Sequence, residues 1–226
     1  MSNYDEMLKR IKLYRQKTGL FQEQIGEKLG LSQESYSYME NGETKISYEA
    51  MLLLENMGLS VDYLVSGNEY GNKNDELQDS LDNFENSEEK EFVLKLVAEL
   101  TLIHIRRNKC EEGMFSPVRL LSDTIKHWDD FSMVRIVREE AEYSQYVMAD
   151  KLGISVKKYR ELERENRFPD GEILMQLYEI SGYEPSLFLG TPGRKQVIVG
   201  RVWKLLDGKD KEKIMDFIEY MKSMFR

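Results

Sequence analysis

The sequence predicts an all-α fold, and three observations carry that prediction. Apolar residues recur at i, i+3, i+4 and i+7, as in Leu8, Ile11, Ile25 and Leu29 and again in Ile173, Leu174, Leu177 and Ile180. Only four prolines interrupt 226 residues. No stretch alternates with period two for long enough to need a sheet, the best candidate being the short run Gln196, Val197, Ile198, Val199. At about 150 residues per domain the length gives one to two domains, and an apolar content of 41% is enough to bury real cores.

Sliding the sequence by 123 residues aligns 8–40 with 131–163, and eight of those 33 positions are identical. They are Arg15/Arg138, Gln22/Gln145, Lys28/Lys151, Leu29/Leu152, Gly30/Gly153, Ser32/Ser155, Tyr36/Tyr159 and Glu40/Glu163. Chance identity of roughly 6% per position would give about two. Apolar character also agrees at Ile11/Val134, Leu13/Ile136, Ile25/Met148, Leu31/Ile154 and Met39/Leu162. The chain carries one unit twice.

The elements follow in order from these patterns. Residues 1–67 form the first unit. A polar Gly/Asn/Asp-rich stretch, 66–87, reads as a linker that leads into an acidic helical connector, the whole segment between the units spanning 68–130. Ser87 is the expected N-cap of a helix with Phe92, Val93, Leu96, Leu100 and Ile103 on its apolar stripe. Ser116 and Pro117 open a short helix through Leu120, Leu121 and Ile125 toward Trp128. The second unit spans 131–190. In the tail, 191–226, Asp210 is the expected cap of a helix that turns Ile214, Phe217, Ile218 and Met221 inward. Each unit thus reads as a compact domain with a trailing amphipathic helix.

Within each unit the repeated motif reads as helix, tight turn, helix. Gly30 and Gly153 stand where the first helix ends and the backbone needs positive φ. Ser32 and Ser155 then cap the next helix. A short Gly-containing turn between two helices is the helix-turn-helix pattern. On Arg15/Arg138, Gln22/Gln145, the LGxS turn and Glu40/Glu163, with ADKLGIS and Phe168–Asp170 added in the second copy, both units resemble the lambda-repressor-like, or XRE-type, helix-turn-helix domain. The resemblance implies five-helix domains that lay the third helix in the DNA major groove. It also implies phosphate contacts from the start of the second helix, where Gln22 and Gln145 stand, and internal ion pairs Arg15 with Glu40 and Arg138 with Glu163. The copies depart from the family pattern in places. Phe21 replaces a capping Ser or Thr that Ser144 keeps, Gly26 replaces the Ala kept as Ala149, and Ile46 replaces the Pro kept as Pro169. Glu165 stands where Gly42 matches the pattern, so Asn166 is expected to take the left-handed position in the second copy.

Helix periodicity sorts the third helices by face. In the first, Tyr36 and Met39 point inward with Leu31, leaving Gln33, Glu34, Ser37 and Tyr38 outward. In the second, Tyr159 and Leu162 are inward and Val156, Lys157, Lys158, Arg160, Glu161 and Arg164 outward, with Arg167 just beyond. The candidate DNA-contacting set is therefore Gln22, Gln33, Glu34, Ser37, Tyr38, Gln145, Val156, Lys157, Lys158, Arg160, Arg164 and Arg167. The second face has cations that neutralise phosphates or fork onto guanine, against the plainer reading of a solvated face paired with Glu161, Glu163 and Glu165. The first face holds no positive charge from Ser32 to Glu43, although Gln33 has the amide that reads adenine. DNA reading and partner binding both remain open for it.

The net charge of -9 excludes a whole-protein field that draws the chain to nucleic acid. By region the balance is 7 basic to 10 acidic over 1–67, 8 to 15 over 68–131, 8 to 11 over 132–190 and 9 to 5 over 191–226. Arg194, Lys195, Arg201 and Lys204 make the tail basic and offer backbone contacts or simply a solvated face. One cysteine, Cys110, and two histidines, His104 and His127, make neither a disulfide nor a zinc site, and no cofactor is implied. The charged start of the chain and the lack of a long apolar run place the expected compartment in a reducing cytoplasm with no membrane partner. GTPGRK, residues 190–195, lacks phosphate-loop spacing, and no catalytic constellation is present.

These residues predict a non-enzymatic, sequence-specific transcriptional regulator, a repressor, that binds double-stranded DNA and forms a homodimer through its amphipathic helices. The alternative is a protein-interaction module, an antirepressor or antitoxin-like partner, in which one of the two domains mediates dimer or partner binding.

Overall fold

A computed structural model of the protein describes residues 3–68, 76–107 and 113–225. Cys110 and part of the 66–87 linker lie outside the described residues. The chain is all-α, with no strand among the described residues, and the Gln196–Val199 run sits inside a helix.

The helices in chain order are α1 (Asn3–Lys17), α2 (Gln22–Lys28), α3 (Gln33–Glu40), α4 (Tyr48–Asn56), α5 (Val61–Ser66), α6 (Glu76–Asp82) and α7 (Ser87–Arg107). They continue as α8 (Pro117–Lys126), α9 (Met133–Glu140), α10 (Gln145–Lys151), α11 (Val156–Glu163), α12 (Gly171–Ser181), a 3-10 turn (Pro185–Phe188), α13 (Arg194–Trp203) and α14 (Gly208–Phe225). Two compact units interleave along the chain, one made of 1–71 with 133–191 and the other of 72–132 with 192–226.

In the first unit, α1 to α5 enclose Met7, Ile11, Ile25, Tyr36, Met51, Leu54 and Leu64, and α9 to α12 with the 3-10 turn enclose Ile136, Met148, Tyr159, Leu174 and Leu187. The two helical groups pack directly on each other. Helix α12 lies against α1 and α5, and α5 lies against the 3-10 turn. Tyr48 stacks on Phe168 at 4.6 Å between ring centroids and donates its hydroxyl to the Leu189 carbonyl at 2.7 Å. The Asp62 carboxylate accepts from the Ser186 amide at 2.7 Å and from its hydroxyl at 2.9 Å. Lys45 pairs with Glu172, and the Gly171 amide donates to the Ile46 carbonyl at 3.0 Å. A Cβ on Gly171 would overlap Ile46 Cγ2 and come within 2.9 Å of Met7 Cε, so only glycine lets the two groups approach this closely.

In the second unit, α7 packs against α6, α8, α13 and α14. Val93, Val97, Leu102, Ile105, Leu120, Leu121, Ile198, Val202, Trp203, Ile214 and Ile218 form its core. The tail and connector helices therefore cover part of one another's apolar faces within the chain. The expected α7 stripe is rotated: Phe92 and Ile103 are exposed, while Leu94, Ala98 and Thr101 are buried with Val93 and Val97. Four packing neighbours bury a broader arc than the single stripe expected.

Two expected caps move. Asn86, not Ser87, caps α7, its side chain accepting from the Glu88 amide at 2.8 Å. Asp207, not Asp210, caps α14, accepting from the Asp210 amide at 2.8 Å. Asp210 instead meets His104 Nδ1 and Lys213 Nζ, each at 2.9 Å, and these partners, Lys213 first, hold its carboxyl below the usual range. Ser116 caps α8 as expected, with Pro117 at the first helical position.

Candidate nucleic-acid interface

The candidate interface is built on α2 with α3 and on α10 with α11. Helix α2 ends in a Schellman turn in which the Leu31 amide donates to the Gly26 carbonyl at 2.8 Å and Gly30 sits at φ 68°. Helix α10 ends the same way, with Ile154 on Ala149 at 3.0 Å and Gly153 at φ 60°. Ser32 then accepts from the Ser35 amide and Ser155 from the Lys158 amide, starting α3 and α11. Ser144 caps α10, whereas Phe21 leaves α2 without a side-chain cap, and only the Gln24 side chain returns to the Phe21 amide, at 2.9 Å.

Each helix pair is braced by a carboxylate, Glu40 hydrogen-bonded by three side chains and Glu163 by two. Arg15 donates to Glu40 through Nε at 2.8 Å and Nη2 at 3.2 Å, Gln22 donates at 2.8 Å, and the Tyr36 hydroxyl donates at 3.0 Å. Arg138 donates to Glu163 through Nη2 at 2.6 Å and Nε at 3.1 Å, and Gln145 donates at 2.7 Å. Both arginines also reach a backbone carbonyl five residues on, Leu20 and Tyr143, each at 3.2 Å. Burial pushes the Glu40 carboxyl up, but the hydrogen bonds from Arg15, Gln22 and Tyr36 outweigh it and leave its pKa below the ordinary value. Burial, with the Glu40 charge beside it, pushes the Tyr36 hydroxyl up, and burial and Glu163 do the same for Tyr159.

Each of the two glutamines gives one amide N–H to its internal carboxylate, and the amide oxygen of Gln145 accepts from Arg160 Nε at 3.1 Å. On α3, Gln33, Glu34 and Tyr38 are exposed and Ser37 half-buried, and the Tyr38 hydroxyl donates to Glu34 at 3.0 Å. On α11, Lys157, Arg160 and Arg164 form an exposed row at i, i+3 and i+7, with exposed Arg167 past the helix end. Val156 and Lys158 are half-buried at its flank, and Lys158 pairs at 3.3 Å with Asp170, which also caps α12. Arg167 lies 3.8 Å from Glu161. Lys157 and Arg164 have no ion pair among the described residues.

One expectation at the α11 exit is corrected. Glu165, not Asn166, takes the left-handed position, at φ 54°. The reason is the Schellman bond from the Asn166 amide to the Glu161 carbonyl at 3.0 Å, which matches Glu43 on Tyr38 at 2.8 Å after α3 and requires the intervening residue to turn left. Two large side chains escaped the residue-by-residue reading: Phe21 is 74% exposed and Tyr146 71% exposed, each beside a helix-start glutamine. Their unusual place at a polar helix start was the available signal.

Of the basic tail residues, Lys204 is exposed, while Lys195 and Arg194 are engaged by neighbours. Lys195 pairs with Glu91 at 2.5 Å and lies 4.7 Å from the Trp128 ring centroid, and Arg194 lies 5.0 Å from that of Phe131. Among the described residues there is no group of three His, Cys, Asp or Glu placed to hold a metal ion, and no helix long and apolar enough to cross a membrane.

A family model described as Helix-turn-helix matches residues 11–64, about a quarter of the chain. Residues 11–64, which span most of α1 to α5, are thus a helix-turn-helix domain, the kind found in DNA-binding transcription regulators. No curated protein and no solved structure matches the chain.

Proposed function

We propose that this chain is a cytoplasmic, sequence-specific transcriptional repressor in which 131–190 is a second helix-turn-helix domain and supplies most of the affinity for double-stranded DNA. The observation that carries this reading is the recurrence of one frame. Arg138 and Gln145 hold Glu163 as Arg15 and Gln22 hold Glu40 in the matched domain, although the Tyr159 hydroxyl turns to the Val134 carbonyl where Tyr36 bonds Glu40. On that frame α11 turns Lys157, Arg160 and Arg164 to solvent, where they neutralise phosphates or reach guanine. Arg160, on Gln145, joins the start of α10 to the row on α11. Lys158, held by Asp170, serves to position α11 against α12 rather than to reach out.

A second reading has its own observation. Glu23, Glu27, Glu34 and Glu43 are exposed around α2 and α3, with Phe21 and Tyr38 beside them. In this reading that acidic, aromatic face docks a basic protein surface, and only α11 meets DNA. The amphipathic helices expected to carry a homodimer bury part of their apolar faces within 72–132 and 192–226 and leave Phe92, Ile103, Tyr220 and Met224 exposed.

Selection of bound duplexes from a random library by the full chain, followed by titration at several salt concentrations, tests the proposal. The expected result is an enriched sequence whose binding weakens about a hundredfold when Lys157, Arg160 and Arg164 are all replaced by Ala, with a salt slope flatter by about 2 to 3. No enrichment, or an unchanged slope in the triple variant, sinks it.

A further inference from the structure

We infer that a single chain is its own two-fold DNA reader and binds, as a monomer, a duplex site made of two unlike half-sites. The inference rests on the proposed DNA-binding role of both helical groups and goes further by naming the kind of site they fit.

The argument starts from which elements touch. Under the 123-residue shift, Ile46 corresponds to Pro169, Tyr48 to Gly171, and α5 to the 3-10 turn Pro185–Phe188. The loop after α3 meets the loop after α11, through the Gly171 amide on the Ile46 carbonyl and Tyr48 on Phe168. The last element of one group, α5, packs on the last element of the other, joined by Asp62 to Ser186. Reciprocally, α12 packs on α5 while Tyr48 at the start of α4, the counterpart of α12, bonds Leu189 at the end of the 3-10 turn. A head-to-tail tandem sets each element against a different one. A pairing in which elements meet their own counterparts is isologous, the arrangement of a two-fold dimer. Here it is built inside one chain.

A homodimer presents two copies of one recognition surface and so reads a palindrome. In this chain the paired surfaces share none of their outward residues: Gln33, Glu34, Ser37 and Tyr38 of α3 stand against Val156, Lys157, Arg160 and Glu161 of α11. Phosphate attraction comes from one side, and amide, hydroxyl and ring contacts from the other. The partner that fits is an asymmetric duplex with half-site centres about one helical turn, roughly 10 bp, apart. One half is read by cations and the other by a face without cations, through Gln33, Ser37 and Tyr38.

The test uses the full chain with the selected duplex. Native mass spectrometry is expected to give one chain per duplex, on a protected site longer than one turn and without internal dyad symmetry. Gln33→Ala with Tyr38→Ala should change base preference in one half only, and Arg160→Ala in the other only. Inserting about half a turn (~5 bp) between the halves should weaken binding about tenfold or more, since the pairing fixes the spacing. Two chains on a palindrome, tolerance of the insertion, or a short site indifferent to the Gln33 and Tyr38 changes overturns the inference and leaves DNA binding through α11 standing. Absence of any enriched site removes both.

Discussion

Arg15 meets Glu40 at 2.8 Å and Arg138 meets Glu163 at 2.6 Å, yet the helices these pairs anchor offer solvent opposite chemistry. From Ser32 to Glu43 there is no cation, whereas Lys157 to Arg167 holds five. The frame and the face are separable because they use different helix positions. Tyr36, Met39 and Glu40 point in, as do Tyr159, Leu162 and Glu163, and are constrained by packing and by a buried carboxylate that must stay paired. The outward positions carry no such constraint and are free to hold whatever the bound surface demands.

The comparison can be broken first at the frame. Glu40→Gln leaves Arg15 partly buried without its charge partner and is expected to cost about 3 kcal/mol in denaturant unfolding, whereas Glu163→Gln leaves Arg138 with Glu139 at 3.4 Å and is expected to cost about 2 kcal/mol. A loss near zero in either variant shows that its carboxylate does not brace the helix pair. Because the Glu40 pKa is held below the unfolded value of about 4.3, its contribution is present above that pH and fades as pH falls through the folded pKa. A stability profile against pH should therefore lose part of its acid slope in Glu40→Gln.

Changing the face sharpens the contrast. Gln33→Lys with Glu34→Lys makes α3 resemble α11 in charge, and DNA affinity should rise about tenfold, with a salt slope steeper by about 1 to 2. An unchanged slope in salt titrations places α3 away from phosphate. A smaller difference lies in the caps: Phe21→Ser supplies the α2 cap that Ser144 already gives α10, and should stabilise by about 1 kcal/mol, read in the same unfolding assay. The smallest lies in the backbone. Glu142 sits at φ 56° where its counterpart Gly19 sits at φ 69°. Glu142→Gly should stabilise by about 0.5 kcal/mol, the relief of left-handed strain outweighing the extra unfolded-chain entropy.

Much of each helical group was readable residue by residue. The turn glycines, the Ser32 and Ser155 caps and the inward residues of α3 and α11 follow from local backbone needs and from a 3.6-residue period, and the structure holds each of them. The same local logic missed where the answer depended on neighbours. Asn86 rather than Ser87 opens α7, one residue earlier than periodicity suggested, and α7 buries a rotated face because four helices surround it. In the candidate site, the exposure of Lys157, Arg160 and Arg164 was legible from spacing. The commitment of Lys158 to Asp170 was not, since it joins α11 to the residue that caps α12, twelve positions away.

The sequence by itself determined the helical class, the turns that start α3 and α11 and the charge difference between those two helices, because all of these are properties of nearby residues. Tertiary structure alone decided which surfaces meet. Gly171 reads as an ordinary helix start until Ile46 and Met7 are found where its side chain would be, and Asp62 reads as a solvated acid until Ser186 reaches it. Likewise Val93 and Val97 of α7 and Ile214 and Ile218 of α14, which in isolation name no partner, are covered within the unit formed by 72–132 and 192–226. The hydrophobic effect specifies that such faces be buried but is non-directional, so the pattern of one helix cannot name the partner that buries it.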